Sequence, residues 1–145
     1  HQDIYASAAL VGLAAYLLTM RAPGEVQDKV AHGDEIPVSE WQKLASPVWV
    51  GINPNDTLQY ASAREHDDER HICPLQLEVI RRGIRLWTKP GDVVLSPFTG
   101  IGSEGYVAVQ MGRKFVGAEL KASYYRQAVA NLQNAIKQGD LLEDA

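Results

Sequence analysis

Gly100, Gly102 and Gly105 close the run Asp92-Val93-Val94-Leu95-Ser96-Pro97-Phe98-Thr99-Gly100-Ile101-Gly102-Ser103-Glu104-Gly105, where a β-branched apolar stretch meets a loop that opens a helix. Gly100 and Gly102 can take positive φ and carry no Cβ, so the backbone can pass close to a ligand where unpaired helix N–H groups face outward. A second apolar stretch, Lys114-Phe115-Val116-Gly117-Ala118-Glu119, ends on an acid placed where a ribose diol would lie. The spacing predicts a nucleoside-binding β-α-β unit. Because the loop begins Ser96-Pro97-Phe98-Thr99, a phenylalanine stands where it could cover a purine or a sulfonium.

The other chemically capable side chains form no constellation. His1, His32, His66 and His71 share no metal-ligand spacing, so no metal is expected. Cys73 is the only cysteine, which excludes an internal disulfide; beside Pro74 it reads as a small buried apolar residue. Trp41, Trp49 and Trp87 are expected as core or interface anchors and not as base-stacking platforms. Gly100-x-Gly102-x-x-Gly105 with Glu119 also matches the dinucleotide fingerprint of nicotinamide-dependent oxidoreductases. That fold needs a second mononucleotide half, and one helix with a short tail is all that follows Glu119, so chain order disfavours it.

These residues must be positioned by elements that the sequence outlines. Pro90-Gly91 launches the strand Val93–Ser96, a helix from Ser103 closes at Gly112, and a strand Phe115–Glu119 follows. Leu77, Ile80, Ile84 and Trp87 make one apolar stripe on a preceding helix that faces the sheet. The last helix carries Tyr125, Ala128, Val129, Leu132, Ala135 and Ile136, ends near Gly139, and leaves residues 140–145 as an acidic frayed tail. Upstream, residues 1–10 predict a weak helix and Ala15–Arg21 a buried strand halted at Pro23-Gly24. Residues 25–36 predict a flexible loop, Glu40–Ala45 a short helix capped by Ser39, Val48–Ile52 a short strand, and residues 61–70 a solvated charged loop.

A chain of 145 residues with 46% apolar content is expected to form a single domain. Its net charge of −4 and pI near 5.5 give no general basic field, so that if a nucleic acid such as DNA is the substrate, its main grip lies outside this chain or in a local patch. The apolar stretch Ala8–Met20 lacks a basic leader and falls short of the ~20 residues that cross a bilayer; a cytoplasmic protein without membrane contact is expected. The chain opens on His1 and is expected to be a piece of something longer.

Val94–Gly102, the helix closed by Gly112-Arg113, the strand ending Gly117-Ala118-Glu119, and Tyr124 resemble the cofactor half of the amino-DNA methyltransferases, in particular the phage- and prophage-type modification methylases. In the permuted order of that family a His-x-x-Pro segment and its helix precede the glycine loop, as His71 to Trp87 do here. The resemblance runs over roughly residues 40–135. It implies S-adenosyl-L-methionine as cofactor, with Ser96, Pro97, Phe98, Thr99, Gly100, Gly102 and Ser103 around it and Glu119 on its ribose. His71, Cys73 and Pro74 would line the same pocket, and Ser96 stands where most of the family has aspartate.

The family's catalytic tetrapeptide reads Asp, Asn or Ser, then Pro-Pro, then an aromatic residue; this chain has seven prolines and no two are adjacent. Ser46-Pro47-Val48-Trp49 is the nearest candidate, against which stands a packed Trp49; in the permuted order the true motif would precede everything seen here. The expectation is therefore a partial three-layer α/β/α, Rossmann-like methyltransferase fold, the C-terminal portion of a catalytic domain. Its target would be the exocyclic amino group of adenine, ahead of cytosine, and DNA would be bound through the portion N-terminal to it. A homodimer is left open. A non-catalytic nucleoside-binding or scaffold domain is the alternative, and the oxidoreductase is third.

Overall fold

The computed structural model describes residues 16–25, 30, 36–59 and 74–143, with backbone alone over 140–143. Its elements are α1 (Val38–Leu44), α2 (Leu77–Trp87), β1 (Val93–Ser96), α3 (Ser103–Gln110), β2 (Lys114–Gly117) and α4 (Ala122–Glu143). β1 and β2 pair in parallel, with Val94 opposite Phe115 and Ser96 opposite Gly117, the arrangement a single-helix crossover requires. The strands separate into a buried and an open face: Val94 and Phe115 turn toward the helices, while Val93, Leu95 and Val116 are exposed among the described residues. The described residues thus supply a sheet and one helical layer of the expected Rossmann-like architecture.

α3 lies at the centre of that layer. Val107 and Ala108 are fully buried and meet Leu77, Ile80 and Ile84 of α2, with Val94, Phe115 and Met111 packed around them. The approach of α3 to β2 is close because Gly105 has no side chain; a Cβ there would stand 2.6 Å from the Phe115 ring. Arg113 fastens the turn between α3 and β2, its buried guanidinium donating to the Thr88 hydroxyl at 3.0 Å and the Thr88 carbonyl at 2.8 Å, and also to the Met111 carbonyl. On the outer surface, Glu78 accepts from Arg81 and Arg82, Arg85 pairs with Glu40 to join α1 to α2, and the Arg82 guanidinium stands 5.5 Å from the Trp49 ring centre.

Several elements differ from the sequence-based expectation. Tyr16–Arg21 is exposed irregular chain and not a buried strand, since no described strand offers its backbone a ladder. Ile36, assigned to the flexible loop, is 1% exposed; a single apolar anchor is invisible in a count of polar neighbours. α1 begins before Ser39 and follows Pro37 with no side-chain cap, so Ser39 is helical and not the cap. Val48–Ile52 is not a strand. β2 ends at Gly117, two residues before Glu119.

Trp87 is 53% exposed and folds over Gly83, where a Cβ would meet its ring at 3.4 Å, and Leu86 is buried in its place. α4 runs on through Gly139 to Glu143, so residues 140–143 are helix and not tail; one interior glycine costs about 1 kcal/mol, too little to stop a long helix. Within α4 the buried positions are Ser123, Ala128, Asn131 and Ala135, whereas Tyr125, Val129 and Ile136 are exposed. The expected helix at 1–10, the charged loop at 61–70 and most of the 25–36 loop lie outside the described residues.

Candidate functional site

The carboxyl ends of parallel strands leave a crevice where backbone groups are not consumed by the ladder, and in α/β folds ligands bind there. Here the chain leaves β1 at Ser96, turns through Pro97, Phe98 and Thr99, and re-enters helix at Ser103. Gly100 and Gly102 both hold positive φ, +56° and +86°, which turns the loop sharply enough to present α3 end-on. Gly102 is also pressed by α4: a Cβ there would lie 3.1 Å from that of Ala128 and 3.0 Å from Leu132. Ala128 and Leu132 of α4 thus press on the glycine loop together, and it is the missing side chain at Gly102 that admits them.

Three bonds hold the loop in place. Thr99 N–H donates to the Ala118 carbonyl at 3.0 Å, the buried Asn131 amide donates to the Ile101 carbonyl at 2.8 Å, and Gly100 N–H donates to the Glu119 carboxylate at 2.8 Å. The second Glu119 oxygen accepts Lys121 N–H at 2.9 Å. Glu119 therefore clamps the loop to the chain after β2, with one further lone pair on each oxygen.

Beside the loop lies a cleft of about 220 Å³. Phe98, Thr99, Gly100, Ser103 and Pro74 of the expected set line it. Phe98 is 87% exposed, and no atom lies within 4 Å of where a Cβ on Gly100 would point, so the loop has an open side able to receive a flat ligand. Ser96 is buried, and Ser96, Pro97, Gly102 and Glu119 do not line the cleft. His71 and Cys73 lie outside the described residues.

Ser46, Pro47 and Trp49 do not reach this cleft. The Ser46 hydroxyl bonds locally to the Val48 carbonyl at 2.9 Å, and the Trp49 indole N–H donates to the Leu44 carbonyl at 2.8 Å. The second bond holds Trp49 against the end of α1.

Sequence reasoning did not place Leu75, Ile101, Glu104 or Tyr124 in the lining, and missed Asn131 as the loop's anchor. A signal existed for Asn131, a polar residue on the apolar stripe of Ala128 and Ala135. Glu104 gave none, because an acid in a first helical turn is ordinary complement to the helix dipole. In the structure its carboxyl is pushed above the ordinary range by burial, against the opposing effect of its own backbone N–H.

A parallel β-α-β unit, a glycine loop opening the crossover helix and a cleft at the strand ends define a Rossmann-like ligand-binding class. Residues 17–130 match the family described as DNA methylase, and the chain belongs to that family. It is 31% identical over 121 residues to the Type II methyltransferase M1.MboII of Moraxella bovis, covering 75% of this chain and 45% of that one. It is 46% identical over 63 residues to M.Cfr9I of Citrobacter freundii, covering 43% of this chain and 21% of that one. In fold it is similar to a protein assigned as a DNA modification methylase from Thermus thermophilus, solved complexed with S-adenosyl-L-methionine. The TM-score is 0.59 at 24% identity, over 80% of this chain and 41% of the other. The chain thus spans less than half the length of these relatives.

Proposed function

We propose that this chain is the cofactor-binding portion of an S-adenosyl-L-methionine-dependent DNA methyltransferase acting on an exocyclic amino group, adenine-N6 ahead of cytosine-N4. What carries this is the cleft at the carboxyl ends of β1 and β2, beside the Gly100–Gly102 loop, in a chain of the DNA methylase family. The cofactor supplies a methyl group made electrophilic by a sulfonium charge.

The chain's own residues hold it. Phe98 lays its exposed ring along the adenosine or the sulfonium, while Thr99, Gly100 and Ser103 present the polar edge of the loop. Glu119 offers its remaining lone pairs to ribose hydroxyls while keeping its two backbone bonds. Pro74 contributes to the lining, with His71 and Cys73 preceding it in sequence.

Since Ser46, Pro47 and Trp49 stand away from the cleft, we assign the holding of the target base, and most of the grip on DNA, to the greater part of the relatives' length that this chain does not span. No helix among the described residues is long and apolar enough to cross a membrane, and we place the protein with DNA in the cytoplasm. Isothermal calorimetry with S-adenosyl-L-methionine, S-adenosyl-L-homocysteine and NAD tests the reading. Binding of the first two and not NAD is expected; preference for NAD would move the assignment to an oxidoreductase.

A further inference from the structure

We propose that the Glu104 carboxylate receives the ammonium group of the cofactor's amino-acid end, and so fixes which end of the ligand enters the cleft beside α3. The proposal rests on the cofactor assignment above. Glu104 is the one formally charged side chain among the residues lining the cleft; Phe98, Thr99, Gly100, Ser103 and Tyr124 around it are neutral. The end of β1 contributes no charge either, because Ser96 stands there and is buried.

The surroundings of Glu104 are those of an acid awaiting a cation. It stands in the first turn of α3, yet its carboxyl is partly withdrawn from solvent, whereas an acid serving the helix dipole alone would gain by facing water. None of the ion pairs among the described residues includes it, although Glu78 holds two arginines and Glu40 one. Lys121, at the same edge of the fold, sets its ammonium 4.4 Å from the centre of the Tyr124 ring. A desolvated carboxylate without a counter-ion is costly, and a bound ammonium removes that cost with a charge-assisted hydrogen bond. The other end of the ligand is fixed independently, since Glu119 is tied to Gly100 on the side of the loop proposed for the ribose.

The test is calorimetry on the whole chain and on Glu104→Gln, which keeps the shape and removes the charge. Three ligands are used: S-adenosyl-L-methionine, S-adenosyl-L-homocysteine and 5′-methylthioadenosine, the last of which lacks the amino-acid end. The first two are expected to bind at least tenfold more weakly to the variant, by similar factors, and methylthioadenosine to be unchanged, which also shows that the variant is folded. Glu104→Asp is expected to recover part of the loss. Equal weakening of all three ligands, unchanged binding of the first two, or weakening confined to the sulfonium compound overturns the assignment of the ammonium to Glu104. Absence of binding of all three by the unaltered chain overturns the cofactor reading itself and this proposal with it.

Discussion

The Glu119 carboxylate accepts the Gly100 amide at 2.8 Å with one oxygen and the Lys121 amide at 2.9 Å with the other, so a single acid joins the glycine loop to the chain leaving β2. Its removal should therefore do more than delete the proposed ribose contact. Hydrogen bonds to a charged group contribute ~1.5–3 kcal/mol, and Glu119→Ala loses two. Cofactor affinity is expected to fall at least tenfold, with a lowered unfolding temperature. Glu119→Gln, which keeps one acceptor oxygen, should fall between. Calorimetry and thermal unfolding of the two variants read this directly, and equal stability of Glu119→Ala and the unaltered chain would contradict the clamp.

Gly105 is where α3 touches β2. An alanine there would drive its methyl into the Phe115 ring, from 2.6 Å, and overpacking of this kind costs ~1–3 kcal/mol. Urea unfolding should show Gly105→Ala destabilised by that order, with Phe115→Leu in the same chain recovering part of it. Additive losses in the double variant would mean that the two residues do not meet.

Asn131 holds the Ile101 carbonyl from α4. Asn131→Ala leaves a buried acceptor unsatisfied, at a cost of ~1–3 kcal/mol. Asn131→Asp should be worse at neutral pH, because a carboxylate then faces a carbonyl oxygen. Hydrogen exchange of the 99–103 amides is expected to speed up in both variants, and protection unchanged in that loop would rule out Asn131 as its anchor.

Two acids shift in opposite senses, and stability should follow pH accordingly. Burial raises the Glu104 carboxyl above its ordinary 4.5, so the stability it contributes is full below that value and is lost as pH rises through its folded value. Glu78 is opposed by burial but held below 4.5 by its bonds from Arg82 and Arg81; its contribution is present above 4.5 and is lost as pH falls through its folded value. Glu104→Gln, without cofactor, should thus gain stability relative to the unaltered chain between pH 4 and pH 7, whereas Glu78→Gln should lose it. Urea unfolding at both pH values checks the signs.

Tritiated methyl transfer to undermethylated DNA should be undetectable with residues 1–145 alone and present with a longer chain carrying a Pro-Pro-aromatic motif. Positioning of reactants supplies ~7–11 kcal/mol of rate enhancement, and a cofactor site without a base clamp forgoes it. Robust transfer by this chain would show that a working clamp lies within it.

What the sequence alone determined is the unit whose signals are local. The apolar run Val93–Ser96, the glycines that permit positive φ at 100 and 102, and the stripe Leu77, Ile80 and Ile84 each depend on residues a few positions apart. The parallel pairing of β1 with β2 follows from them, because one intervening helix leaves no other economical connection. Elements that need a distant partner were not legible. Tyr16–Arg21 has strand composition, but composition cannot supply a ladder, and Trp87 fits the helical period yet turns onto Gly83.

The site divides in the same way. That Phe98, Thr99, Gly100 and Ser103 would stand together was readable because the loop that carries them is contiguous. That Ser46 and Trp49 stand away from the cleft, that Glu119 spends both oxygens on backbone amides, and that Asn131 reaches Ile101 were decided by packing. Glu104 became a candidate ligand only when α3 was set against the loop, since a carboxylate's environment is a property of what surrounds it in space and not of its neighbours in the chain.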